Sequence, residues 1–351
     1  MQKYTKQERM SRLIQGKSID RVPLIINSSL FTAVFNKLNS KEYFFNMQNM
    51  YDYQKYTLDL FGCHGFPGFC LSNWIATSMG CENKYIDTPF GISVPQTKPI
   101  ILSEKDVENF KAPKSLDSIE WNYRMEFQKI CNFNGVKSTG VLGGSVVEIL
   151  AQLVDMKLLM SWMIKKEDLV FYLCDEVKKY LKLIIQADIK KYGAENCTGL
   201  FFYPLESSDL LSPRMVKRIN WRYIEEMHSY MYDLGIKKFH EHLCGNQNKN
   251  IELLKNLKLP SRSVFSLDER TDLQKTSSIL GSEYIYSGNV SSNVLLNGSV
   301  NDVMNNCQDI LKIGKKLEGG FILCPSCDLP PYTPPLNVYA MNKAIDKFGI
   351  Y

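Results

Sequence analysis

Along the chain, short apolar runs alternate with longer stretches in which apolar residues recur every three or four positions. These are the periods of buried strands and amphipathic helices. Thr5-Lys6-Gln7-Glu8 reads as a capping box that opens a first helix, closed by Gly16. Arg21-Val22-Pro23-Leu24-Ile25-Ile26-Asn27 follows as a first strand. Gly140-Val141-Leu142-Gly143-Gly144 and Gly199-Leu200-Phe201-Phe202-Tyr203-Pro204 read as short buried strands, with a long helix over 167–192 between them. In the second half, Ser212-Pro213 supplies an N-cap and a proline at the first helical position, for a helix that runs to Gly235. Strands are predicted over 238–244, 263–268, 284–287 and 321–324, separated by helices over 250–257, 272–280 and 302–315. A closing helix after Thr333-Pro334-Pro335 puts Ala340, Ala344 and Ile345 on one face.

Sustained alternation of strand and helix implies a parallel sheet with crossover helices. About eight strands, with no GxGxxG turn after the first, favour closure into a (β/α)8 TIM barrel over an open doubly wound sheet. One barrel domain over residues 1–351 is the expectation. The segment 36–113 fits the alternation poorly, and its Gly, Pro and Asn content predicts an elaborated loop region over the barrel mouth.

Composition narrows the class further. The chain is 44% hydrophobic, and 42 Lys+Arg against 37 Asp+Glu leave +5, without a basic stripe interleaved with aromatics. Nucleic acid is not an expected partner. No run of about 18 apolar residues suggests a membrane span, and the N-terminal MQKYTKQERMSRLIQG lacks a signal-peptide core. Ten cysteines without such a signal point to reduced thiols in the cytoplasm.

The chemistry concentrates in two places. In His240-Glu241-His242-Leu243-Cys244-Gly245-Asn246, strand alternation points His240, His242 and Cys244 the same way, into the barrel mouth if they end a barrel strand. A His and a Cys two residues apart on one face can share a zinc ion, although a polar strand end would look the same. Cys324-Pro325-Ser326-Cys327-Asp328 ends the last strand. A CxxC admits a metal half-site, a redox dithiol or two core cysteines. Pro325 breaks the strand, which leaves Cys327 over the mouth and Cys324 as packed core. His242, Cys244 and Cys327 would give three zinc ligands with a fourth position open, the catalytic pattern. Asp268 could fill that position, and it and His240 are the candidate catalytic residues. Asn27, His64, Glu206 and Asn289, with Gly144 and Glu148, fall at or after predicted strand ends as candidate substrate contacts. His228 reads as a surface or packing histidine.

Several segments resemble the uroporphyrinogen decarboxylase superfamily: the Glu8-Arg9 helix, Asp20-Arg21-Val22-Pro23, Leu211-Ser212-Pro213, His242-Leu243-Cys244-Gly245-Asn246, Ser287-Gly288-Asn289-Val290 and Thr333-Pro334…Asn337. The resemblance runs the whole length and implies a distorted (β/α)8 barrel. The decarboxylases of that superfamily grip substrate carboxylates with two N-terminal arginines, whereas the corresponding stretch here, Leu24-Ile25-Ile26-Asn27-Ser28-Ser29-Leu30-Phe31, has none. The corrinoid-dependent methyltransferase branch is the more similar. Its zinc motif, His-x-Cys followed distantly by Cys, carries over to His242, Cys244 and Cys327, and its acidic residue near the metal falls on Asp268. His240 is then the rival ligand.

That resemblance implies methyl transfer between a corrinoid such as methylcobalamin and a small thiol or other methyl acceptor or donor. It also implies that a partner corrinoid protein supplies the corrinoid, in keeping with the lack of an Asp-x-His-x-x-Gly motif in this chain. The segment 36–113 becomes the expected docking lid for that partner. A metal-independent decarboxylase or lyase of the same superfamily is the alternative.

Overall fold

The computed structural model describes residues 3–71, 73–85, 95–142 and 146–351. Six strands form one parallel sheet in sequence order, flanked by an earlier antiparallel hairpin. The hairpin is β1 (Glu82–Tyr85) with β2 (Pro95–Lys98). The sheet comprises β3 (Thr139–Leu142), β4 (Cys197–Phe202), β5 (Phe239–Leu243), β6 (Val264–Leu267), β7 (Ile285–Val290) and β8 (Phe321–Pro325). Helices cross between successive strands, the longest being Glu167–Tyr192, so each parallel connection has the crossover it needs.

The expected first strand over 21–27 does not form a ladder. Its contact with β8 is the parallel bridge of Leu24 to Leu323, with Ile25 N donating to Leu323 O at 3.0 Å and Leu323 N to Pro23 O at 2.9 Å. Pro23 has no N–H, which shortens any pairing there. The next station is irregular too: His64 N donates to Leu24 O at 2.7 Å. Segments around Leu24 and His64 thus occupy the first two places of a distorted (β/α)8 barrel, and β3–β8 the other six. Gly143 and Gly144, expected to extend β3, lie outside the described residues.

The segment 36–113 is more ordered than a loop. It holds the helices Ser40–Phe44, Met47–Leu60, Trp74–Ser78 and Glu104–Asn109 besides the hairpin. Its apolar residues, among them Met50, Trp74 and Ile75, join the same core as the barrel. Short helices that bury one face against a neighbour keep little of the long periodicity that reveals a helix in sequence. The helix expected over 213–235 is also subdivided, into Pro213–Met215, a π-helical Val216–Asn220 and Trp221–Asp233.

Behind the strands, Phe201, Phe239, Phe265 and Tyr286 are nearly inaccessible, each worth about 1.5–3 kcal/mol of burial. His228 stacks on Phe201 with ring centroids 3.6 Å apart, in the packing role expected of it. Glu241, on the outward face of β5, accepts from Tyr203 Oη at 2.5 Å and lies 3.1 Å from His228 Nε2. Two buried arginines tie elements together. Arg124 grips Asp188 with both Nη atoms at 2.9 and 2.7 Å and donates to Gly140 O, which joins two helices to β3. Arg9, 2% exposed, binds Asp20 through Nε and Nη2, Tyr4 O through Nη2, and His64 Nε2 through Nη1 at 2.9 Å. No helix among the described residues is long and apolar enough to cross a membrane.

Candidate active site at the barrel mouth

Strand β5 alternates buried and half-buried residues from Phe239 to Leu243, so Phe239, Glu241 and Leu243 face the helices while His240 and His242 face the lumen. Parallel register sets His242 beside Phe202 of β4 and Ser266 of β6. Ser266 Oγ lies 2.6 Å from His242 Nδ1, which orients the ring and leaves Nε2 toward the lumen. Cys244 follows at the strand end. Gly245 then turns the chain at φ +69°, where a Cβ would lie 2.6 Å from Ser207 Oγ; an L side chain is strained there and has no room.

Four more strand ends bring acidic groups or thiols to the same end of the barrel. Glu148 sits in the first turn of the helix Val146–Leu153 after β3, Glu206 in the turn after β4, Asp268 directly after β6, and Cys327 with Asp328 after β8. Their mutual influence is legible in their protonation. Burial pushes the Cys244 thiol far up, and Cys327, Glu148 and Glu206 push it further. Burial likewise raises Cys327, with Asp328 and Asp268 adding to it. Burial and Glu206 lift Glu148 to about 8. His242 is held down to about 4 by burial, against the pull of Asp268. Burial, then His242, lowers His240 to about 4. Cys327 and Asp328 remain open to water, although burial of the thiol and the carboxyl is the main cause of both shifts.

As the side chains stand, no three His, Cys, Asp or Glu among the described residues are gathered tightly enough to hold a metal ion. The expected His242–Cys244–Cys327 set therefore stands at the ends of β5 and β8, with two strands between them, and is not drawn into a closed shell. Closing it would fall to Cys327, which sits exposed on the irregular turn after β8. The donor chemistry suits a dication. Burial raises both thiols, with Cys327 adding to the rise at Cys244 and Asp268 to that at Cys327; a metal ion removes that penalty, and His242 has its Nδ1 engaged, as ligating histidines do.

Other expected contacts serve as scaffold. His64 is engaged by Arg9 at Nε2 and by the Leu24 backbone at Nδ1, and burial with Arg9 nearby lowers it to about 4; both ring nitrogens face protein rather than substrate. Asn289 donates to the carbonyls of Asp268 and Thr271, pinning the turn that presents Asp268. Asn27 Nδ2 donates to Asp328, Ser29 Oγ donates to its other oxygen at 3.2 Å, and Asn27 O accepts from Leu329 N. Asn27 thus fixes the Cys327 turn. Glu206 is 2% exposed and accepts from Asn220 Nδ2 at 2.8 Å. His240 Nε2 is buried without a partner among the described residues. Cys324, expected as core, is on the lumen wall, its Sγ 3.0 Å from Ser287 Oγ. Gly144 lies outside the described residues. Sequence reasoning missed Ser266, though a lone hydroxyl in Val264-Phe265-Ser266-Leu267, in register with His242, was its signal.

Four similarities bear on this geometry. The family model for uroporphyrinogen decarboxylase (URO-D) matches residues 5–348. A methylcobamide:CoM methyltransferase MtaA of Methanosarcina barkeri strain Fusaro is 23% identical over 367 aligned residues, covering 99% of each chain. A second Methanosarcina barkeri protein of that name is 22% identical with the same coverage. Among solved structures, a methyltransferase from Methanosarcina mazei superposes with a TM-score of 0.77 at 23% identity, covering 99% of both chains.

Proposed function

The chain belongs to the uroporphyrinogen decarboxylase family, and on that premise we propose that it is a zinc-dependent methyltransferase. In this reading it moves a methyl group between a corrinoid carried by a partner protein and a small thiol or other acceptor or donor. The observation that carries the reading lies at the end of β5: His242 faces the lumen with Ser266 orienting its imidazole, Cys244 follows directly after the strand, and Cys327 adds to the rise of the Cys244 thiol. The names of the relatives support methyl transfer and a corrinoid.

His242, Cys244 and Cys327 would hold the zinc, with Asp268 beside the open position. When bound, zinc keeps a substrate thiol deprotonated and nucleophilic at neutral pH, or polarises the heteroatom of a methylated donor. The chain's own part is to position. Ser266 fixes the ring plane of His242. Arg270, through its N–H at 2.9 Å and Nε at 3.1 Å on Asp268 Oδ1, and Asn289, on the Asp268 carbonyl, fix the carboxylate. The two anchors on Asp328 hold the Cys327 turn. Groups set on strand ends in this way bring reactants together at little entropic cost.

The test pairs metal analysis with spectroscopy. Purified protein should contain one zinc, and the double variant Cys244→Ser, Cys327→Ser none. The visible spectrum of methylcobalamin should report demethylation with members of a thiol panel or, run in reverse, methylation from a donor, and a chelator should abolish either. Zinc-free active protein would favour a metal-independent lyase of the same family. Zinc with an unchanged spectrum throughout would leave a metal-binding protein without this activity.

A further inference from the structure

The turn after β5 is held by its carbonyls. Cys244 O accepts from Gln247 Nε2, Gly245 O from Thr271 Oγ1 and Asn246 O from Ser208 N, each at 2.8 Å. Two side chains carry most of this. The Gln247 amide also donates to Tyr203 O, directly after β4, at 2.9 Å, and its Oε1 accepts from Asn250 Nδ2 at 3.0 Å. Thr271, in the turn after β6, accepts from Gln247 N at 3.0 Å while its hydroxyl hydrogen goes to Gly245. Its own N–H donates to Asp268 O at 3.0 Å, and Asn289 Nδ2, from β7, donates to the carbonyls of both residues. Gln247 and Thr271 are 2% and 0% exposed. A primary amide has two donor hydrogens and one oxygen, and a hydroxyl has one donor hydrogen; here all of them are used. The ends of β4, β5, β6 and β7 are thus tied into one clasp, and none of these bonds reaches Cys327.

We infer that Gln247 and Thr271 are positioning residues of the metal site, which fix the Cys244 backbone against the Asp268 turn and so hold thiol and carboxylate in a constant relation. Where a metal is concerned, the inference rests on the zinc-dependent reading above. A ligand fastened through its main chain cannot drift when its side chain is free, and such support by outer groups is what makes a binding constellation precise. Near-isosteric changes separate this role from packing. Thr271→Val keeps the shape but leaves Gly245 O and Gln247 N buried without partners. Gln247→Met does the same to Cys244 O and Tyr203 O. Either turn can satisfy such groups only by opening to water, which carries Cys244 with it. Thr271→Ser keeps the hydroxyl and should restore the clasp.

The first measurement needs no metal. In full-length protein treated with a chelator, alkylation by iodoacetamide is followed cysteine by cysteine by peptide mass spectrometry. Thr271→Val and Gln247→Met should each speed alkylation of Cys244 roughly tenfold, the scale of one buried group left unsatisfied. Exposed Cys327 and deeply buried Cys174 should react as in wild type, and Thr271→Ser should match wild type throughout. The second measurement loads cobalt(II) in place of zinc and records the visible absorption, which reports the geometry around the metal. The spectrum should change in Thr271→Val and Gln247→Met and not in Thr271→Ser, with zinc affinity lowered about 10–100-fold in the first two. If Thr271→Val fails to fold, judged by circular dichroism, Gln247→Met carries both measurements. Cys244 reacting at the wild-type rate in the folded variants overturns the inference, and so does an equal rise at Cys174, which would mean general loosening. Metal bound with an unaltered cobalt spectrum would overturn it too, while keeping the zinc reading. Wild type that binds neither zinc nor cobalt would remove that reading, and the alkylation rates alone would then decide whether the clasp holds Cys244.

Discussion

Ser266 Oγ and His242 Nδ1 lie 2.6 Å apart across β5 and β6, so the second strand sets the ring plane of a side chain on the first. An imidazole free to rotate spends part of its time with Nε2 turned from the metal. Ser266→Ala removes the contact from a position 7% exposed and costs little in packing. Zinc affinity, measured by competition with a chromophoric chelator, should fall about 10–100-fold, as when such outer partners are lost elsewhere. An affinity equal to wild type would mean that Ser266 has no part in holding the ring.

The Arg9–Asp20 pair ties the first helix to the segment that leads into the bridge with β8. Burial works to raise the Asp20 carboxyl, but Arg9 with the Lys3 N–H holds it well below the usual carboxylate range. Arg9→Ala would leave Asp20 unpaired and His64 Nε2 without its partner. The loss should approach the ~3–5 kcal/mol of breaking a buried pair, read as a lower denaturant midpoint at an unchanged slope. Zinc content should persist, since the pair stands apart from the strand ends. Loss of zinc with full stability would contradict this division of labour.

Much of the frame was legible because strands and helices of a barrel repeat one simple alternation. The strands from β4 onward differ from the expected limits by at most three residues at either end. The lumen-facing position of His242 was legible too, since it follows from the period-two alternation of β5. What stayed hidden depends on contacts between distant segments. Pro23 interrupts pairing with β8, so an apolar run that reads as a strand forms only a bridge. His64 and Asn27 sit where substrate contacts are expected, yet Arg9 and Asp328 claim them. No local pattern announces a partner 55 or 301 residues away. Cys324 reads as core from its apolar neighbours, but register with β7 turns it to the lumen beside Ser287.

Acid should destabilise the metal-free protein through its histidines. His64, His240 and His242 are each lowered from 6.5 to about 4, chiefly by burial. Between those values the unfolded chain takes up protons that the folded chain refuses, so stability is complete above about 6.5 and is lost as pH falls toward 4. The thermal midpoint should therefore drop through that window, and His64→Gln should flatten part of the fall. A midpoint constant from pH 6.5 to 4 would mean that these rings are not held neutral by burial.

Glu148 should act at the opposite end of the scale, and in the opposite sense. Its folded value of about 8 lies above the ordinary 4.5, so between the two the folded protein keeps a proton that the unfolded chain has released. The stabilisation is full below about 4.5 and declines as pH rises, until near 8 the carboxyl ionises in the folded state as well. With burial and Glu206 as the causes, Glu148→Gln removes the titrating group while keeping its size. Metal-free wild type should lose thermal stability from pH 6 to 8 relative to this variant, and the two curves should run parallel above about 9. Zinc places positive charge near the carboxylates, so it should shrink the difference by favouring the ionised form. Parallel curves across the whole range would show that Glu148 is already ionised at neutral pH and that the mouth carries more negative charge than its protonation pattern implies.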